Sequence, residues 1–193
     1  MAAKTPVKVG GSAPGTTNDD VAKVLKAALG LPIQLVTGYK GTAPIKLAAE
    51  SGEIAGSCWA WESIKVMWRQ GLDDGQVNIV LQAVPKAIPD LPKVPVAIEL
   101  AKTDDARKLI QAGIHDTAAI TRPYALPPGT PKDRVQLLRR AFQETLKDKD
   151  FLAEATKSKL DVDPVTGEEV EKIIAGLFKL DSVTVAKMAE ILK

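Results

Sequence analysis

The stretch VKVGGSAPGTTNDDVAKVLKAALG, residues 7–30, decides how the chain is read. A strand over 4–10, with Val7 and Val9 on one side, runs into Gly11-Ser12-Ala13-Pro14-Gly15-Thr16-Thr17, a loop made of turn residues. A helix must follow, because Val21, Val24, Leu25, Ala28 and Leu29 recur at i, i+3, i+4, i+7 and i+8 and make one apolar stripe. Thr17 or Asn18 is the expected N-cap and Gly30 the stop.

The same pattern repeats downstream. A strand over 33–36 leads through Thr37-Gly38-Tyr39-Lys40-Gly41-Thr42 into a helix carrying Ile45, Leu47 and Ala48, capped by Thr42 and with Pro44 in its permissive first turn. Strand, glycine-containing loop and helix, twice over, predict an α/β fold with a largely parallel sheet. In such sheets ligands sit beyond the carboxyl ends of the strands, where these loops gather. Next come a short strand or buried turn over 54–60, an amphipathic run over 61–70 and a strand over 77–83. Pro85, Pro89, Pro92 and Pro95 make 84–96 an irregular loop, and 96–112 reads as helical, with a second start at Asp104 and Asp105.

A strand over 118–124 and the break Leu126-Pro127-Pro128-Gly129-Thr130-Pro131 introduce a helical tail. Thr130 caps a helix over 131–147, Pro131 takes its first position, and Val135, Leu138, Phe142 and Leu146 form its expected buried stripe. A shorter helix is expected over 148–157. Thr166-Gly167-Glu168-Glu169 is a capping box ahead of Val170, Ile173, Ile174 and Leu177, and a last helix fills 182–192. The chain therefore divides into 7–117 and 118–193.

Composition narrows the function classes. The 193 residues hold 26 Lys and Arg against 24 Asp and Glu, without long single-sign runs, which argues against a nucleic-acid surface. With one cysteine, Cys58, and one histidine, His115, neither a disulfide framework nor a multi-Cys or multi-His metal site can be assembled, and no cofactor or metal is expected. No stretch reaches the length of a membrane span, and the opening residues lack the apolar core of a secretion signal.

Several segments together resemble the extracytoplasmic binding proteins of tripartite tricarboxylate transporters, also called Bug receptors. They are the strand before Gly15-Thr16; Gly38-Tyr39-Lys40-Gly41-Thr42-Ala43 with Glu50-Ser51-Gly52-Glu53-Ile54; Leu91-Pro92-Lys93-Val94-Pro95; and Pro127-Pro128-Gly129-Thr130-Pro131 followed by Arg134 and Ala141-Phe142. The resemblance implies a two-lobed, type II periplasmic-binding fold that closes on a small organic anion and delivers it to a membrane permease from the periplasm. Against that pattern, the family's opening segment is absent. The chain would supply a complete second lobe, 7–117, and the returning helical part of the first, 118–193. A homodimer could then complete the cleft.

An anionic ligand needs donors rather than a nucleophile, and the start of a helix offers backbone N–H groups together with the favourable end of its dipole. Gly15, Thr16 and Thr17 provide this after the first strand; the residues alone read first as a Thr-capped helix start after a Pro-Gly turn, and it is the resemblance that puts the site ahead. Asp19 and Asp20 temper the potential there, and Asn18 stands where family members often carry a His. After the second strand, Tyr39, Gly41 and Thr42 are the candidates, with Lys40 read as a solvent-facing lysine. In Ser57-Cys58-Trp59-Ala60-Trp61-Glu62-Ser63, one of Trp59 and Trp61 would wall the ligand pocket and the other pack inward. Arg122 and Tyr124 lie at the crossover between lobes. Two other readings compete with the receptor: a hydrolase or transferase using Cys58 or a serine with His115, and an interaction module that keeps the fold without a ligand.

Overall fold

The computed structural model describes residues 5–158, 160 and 162–193; Lys4, the expected start of the first strand, lies outside them. Strand β1 (Val7–Gly10) pairs in parallel with β2 (Ile33–Val36) on one edge and β3 (Gly56–Ser57) on the other, in the order β2-β1-β3. Val7 lies opposite Ile33, Gly10 opposite Val36, and Val9 opposite Gly56. The chain thus has an α/β fold built on a small parallel sheet.

Helix α1 (Thr17–Leu29) connects β1 to β2, and α2 (Thr42–Glu50) connects β2 to β3. The two connections run in opposite directions across the sheet, so the right-handed crossovers of βαβ units place α1 and α2 on opposite faces. Two separate apolar clusters agree with this. Val24 and Leu25 of α1 join Ala97, Ala101, Ala106, Leu109, Ile110 and Ile114, while Ile45 and Ala48 of α2 join Ile54 with Val36, Tyr39 and Trp59 against them. Helix α1 ends at Gly30, whose φ of 65° is the left-handed cap anticipated from sequence. Its N-cap is Thr16, one residue earlier than expected.

Further along, tertiary contacts override several local expectations. Pairing in 54–60 is confined to Gly56–Ser57. The run 61–70 is two helices, α3 (Trp61–Met67) and α4 (Arg69–Asp73), broken at Trp68, which is buried and turns its ring edge-on to Trp59 at 4.1 Å between centroids. The strand over 77–83 does not form; only Gln82 bridges to Val96. Gln82 is instead the buried organiser of the proline-rich loop. Its amide nitrogen donates to Leu91 O (3.0 Å) and Val94 O (2.7 Å), and its amide oxygen accepts from Ile88 N (2.8 Å).

The helix over 96–112 is split into a 3₁₀ turn (Ala97–Leu100) and α5 (Asp104–Ile110), whose cap Thr103 accepts from Ala106 N. Helix α5 runs on through a π-helical turn (Gln111–Asp116) into one turn of α6 (Thr117–Ala119). The strand over 118–124 is therefore absent. Ala118 and Ala119 continue the helix they favour, and the Thr117 hydroxyl bonds back to Gly113 O and Ile114 O.

The chain forms two compact units, one running to Thr117 and including Leu180–Lys193, the other Ala118–Lys179. In the second unit, α7 (Lys132–Thr145) and α8 (Lys149–Lys157) precede α9 (Gly167–Leu177). Asp148 caps α8, and the Thr166–Glu169 capping box is formed as expected. Arg139 ties α7 to α9 through Glu168 (2.8 Å) and Glu171 (2.6 Å). The stripe expected to be buried on α7 is not: Leu138 is 50% exposed and Phe142 38%, and Ala155 is the one buried apolar residue among the described residues of this unit. The last helix, α10 (Ser182–Leu192), belongs to the first unit, where Met188, Ile191 and Leu192 pack on the α1 cluster and Lys23 Nζ donates to Leu192 O (3.0 Å). No helix among the described residues is long and apolar enough to cross a membrane.

Replacing Gln82 by leucine keeps the volume but strands one N–H and two carbonyls. We expect Gln82→Leu to lower unfolding free energy in urea by at least about 2 kcal/mol and to make 84–96 the first site of limited proteolysis.

Candidate functional site

Parallel strands deliver their following loops to one edge, and here the three loops meet. Gly38 N donates to Ser12 O (3.1 Å) and Tyr39 N to Gly11 O (3.3 Å), joining the loop after β2 to the loop after β1. Ser57 Oγ donates to Gly10 O (2.6 Å), and Asn18 Nδ2 donates to Cys58 O (2.8 Å) and lies 3.3 Å from Ser57 Oγ, joining the loop after β3 to the start of α1. Asn18 thus bridges the loops after β1 and β3.

Most of the candidate side chains already have partners within the protein. Gly15, exposed with φ 83°, donates its N–H to Asp20 Oδ1 (3.1 Å). The Thr16 hydroxyl donates to Ala13 O (2.7 Å) and lies 3.2 Å from Asp19 Oδ1. Tyr39 donates its phenol to Glu53 Oε1 (2.6 Å), a bond that raises the tyrosine pKa further as the nearby carboxylate opposes a second negative charge. Gly41, with φ 97°, is the N-cap of α2, and its N–H donates to Tyr39 O (2.9 Å). What stays open is the helix starts. Neither α1 nor α2 has a side-chain N-cap bond, so the N–H groups of Thr17, Asn18 and Asp19 in α1, and of Thr42 and Ala43 ahead of Pro44 in α2, lack the usual side-chain oxygen.

The two tryptophans differ in setting, but Trp61 walls no pocket. Trp59 packs inward against Trp68 and the Ile45 cluster, with Nε1 buried and unpartnered. Trp61 lies at the surface, donating Nε1 to Asp90 Oδ2 (3.0 Å) while Lys65 Nζ sits 5.8 Å from its ring centre. A depression lined by Thr42, Lys46, Trp59, Ser63, Ile64, Met67 and Trp68 is too shallow to enclose a molecule. Tyr124, 88% exposed, rests on Phe142 in the second unit.

Three residues matter that sequence reasoning did not place. Asn18 and Ser57 pin the third loop, across a separation no local pattern encodes. Asp19 is fully buried, with Oδ2 unpartnered, in the space left by the absent side chain of Gly11, whose Cβ would fall on its Oδ1. No cluster of three His, Cys, Asp or Glu side chains suited to a metal occurs among the described residues.

The nucleophile and base of the enzymatic reading are poorly equipped. Burial pushes the Cys58 thiol up to about 11, leaving almost no thiolate at neutral pH. His115 is buried on the π-helical turn, its Nδ1 3.4 Å from Gln111 Oε1 and its Nε2 without a partner, so no nucleophile stands within hydrogen-bond reach of it. No family model, no curated protein and no solved structure matches the chain.

Burial holds the His115 imidazole below its ordinary value, against the weaker opposite pull of Asp116. The unfolded chain therefore takes up this proton first as pH falls, and stability is lost from an unfolded-state value of about 6.5 downward until the buried ring also protonates. Urea midpoints should fall between pH 7 and pH 5 in the wild type, and His115→Leu should flatten that part of the profile; an unchanged slope in the variant would assign the loss to other groups.

Proposed function

We propose that this chain is a binding component of an extracytoplasmic receptor, holding a small organic carboxylate at the carboxyl edge of its parallel sheet for a membrane permease and carrying out no chemistry. The observation that supports this best is that the loops after β1 and β2 are joined at the carboxyl end of the sheet, Gly38 N–H donating to Ser12 O and Tyr39 N–H to Gly11 O, with α1 and α2 both starting from these loops without a side-chain cap. Backbone N–H groups at two helix starts suit a carboxylate without a fixed cationic side chain. The resemblance to Bug receptors, with its type II periplasmic-binding architecture and periplasmic location, points the same way. The competing enzymatic reading has an un-ionised thiol and an isolated imidazole to work with.

The resident acids then set the affinity. Asp20 accepts from Gly15 N–H, so the protein's own carboxylate occupies part of the anion-binding loop. A ligand must bind alongside that charge or displace it.

Calorimetric titration with di- and tricarboxylates, amino acids and aromatic acids should find a binder. Thr17→Pro tests the donors directly, since proline is tolerated at the first helical position and Thr16 is extended (φ −97°, ψ 149°), as a residue before proline should be. Losing that N–H should weaken binding about 10-fold or more with the fold intact. Asp20→Asn, which keeps an acceptor for Gly15 but removes the charge, should strengthen it severalfold. Silence across the panel for both wild type and Asp20→Asn would favour a module that has kept the fold without the ligand.

A further inference from the structure

We infer that the ligand of this site is an α-amino acid, with its carboxylate on the first-turn N–H groups of α1 and its ammonium on Asp19. The inference rests on the reading of the sheet's carboxyl edge as a carboxylate site and names the class of carboxylate. It starts from one atom. Asp19, in the first turn of the 13-residue α1, is fully buried, and its Oδ2 has no partner. Its other oxygen, Oδ1, lies 3.2 Å from Thr16 Oγ1. The carboxyl group fills the space beside Gly11 where a side chain would stand, next to Leu35. Asp19 therefore sits against the loop after β1, at the same helix start whose N–H groups have no side-chain cap.

A buried carboxyl oxygen without a donor is costly, and folded proteins leave few of them. Nothing nearby in the chain supplies the donor. The Thr16 hydroxyl has one hydrogen, engaged by Ala13 O at 2.7 Å. Asn18 Nδ2 serves Cys58 O and Ser57 Oγ, and Lys23, one turn along α1, donates Nζ to Leu192 O (3.0 Å). A cationic donor from outside suits the position. Asp19 and Asp20 are adjacent, and no Lys or Arg lies between residues 9 and 22. A plain di- or tricarboxylate brings only more negative charge to these two acids, whereas a ligand that also carries an ammonium offsets it.

Spacing selects the kind of ammonium. The N–H groups of Thr17 and Asn18 and the side chain of Asp19 belong to one helical turn, about 5 Å along the axis, so the ligand's two charged groups must be neighbours, as they are on the α-carbon of an amino acid. The way in is from the loop side. Ala13, Pro14 and Gly15 are exposed, and Gly15 N–H on Asp20 Oδ1 (3.1 Å) ties this cover to the helix. A ligand that lifts the cover reaches Asp19 and the uncapped N–H groups together.

Calorimetric titration of the whole chain with matched pairs tests this: glutamate against glutarate, aspartate against succinate, phenylalanine against hydrocinnamate and leucine against isocaproate. Each pair shares a carbon skeleton and differs in the α-ammonium. In at least one pair the amino acid should bind about 10-fold or more tightly than its partner. Asp19→Asn, nearly equal in size, should bring that pair to within about 3-fold by weakening the amino acid alone, while Asp20→Asn should keep the preference. The wild-type pairs decide the matter even if Asp19→Asn fails to fold. Carboxylates without an ammonium that bind as tightly as the amino acids, or a preference that survives Asp19→Asn, would overturn the inference and leave the carboxylate reading standing. Silence from every amino acid and every carboxylate would overturn both.

Discussion

The first unit depends on a close approach at the end of β1, the one strand among the described residues that is paired on both sides. Gly10 accepts Ser57 Oγ at its carbonyl, and a Cβ there would lie 2.5 Å from Ile54 Cδ1 and 2.9 Å from Ile45 Cγ2. The missing side chain lets α2 and β3 close on the central strand. Its neighbour Gly11 does the same on the α1 side, where the buried Asp19 occupies the space a side chain would need. Two consecutive glycines thus draw three loops to one edge. That convergence, rather than any single polar residue, makes the edge a candidate site.

How far the sequence discloses this follows from the range of the interactions. The α1 stripe, the Gly30 cap, the Thr166 capping box and the last helix depend on residues within one or two turns, and all appear where periodicity and capping put them. The misplaced elements depend on distant partners. The 77–83 strand shrinks to the single bridge between Gln82 and Val96, in a loop held by the Gln82 side chain on Ile88, Leu91 and Val94, and α3 and α4 separate where Trp68 turns toward Trp59. No window of neighbouring residues carries that information.

The same reasoning applies to the site. The composition of the loops announces donors near the strand ends, but not which donors are already engaged. Tyr39 is bound to Glu53, Trp61 to Asp90 and Gly15 to Asp20. Each bond leaves the residue type in place and removes its capacity for a ligand. What remains are main-chain N–H groups at two uncapped helix starts, which are invisible as residue types and become visible only once Thr16 and Gly41 are seen to make no cap bond.

The two units are held by different forces. In the first, α1, α5, the π-helical turn and α10 share a continuous apolar cluster, and Gly113 lets Met188 approach to where a Cβ would stand. In the second, order comes from the ends of helices: Asp148 and Thr166 cap, and Arg139 bridges two glutamates at the surface. Caps contribute about 1 kcal/mol each, and isolated helices shorter than roughly 12–15 residues are marginal in water, so helices of 14, 9 and 11 residues cannot hold one another in place by such terms alone. Ordering their backbone costs on the order of 1 kcal/mol or more per residue, a cost that globular domains offset chiefly by apolar burial. A unit whose leucines and phenylalanines stay largely exposed has its helices specified chiefly by local caps and surface ion pairs.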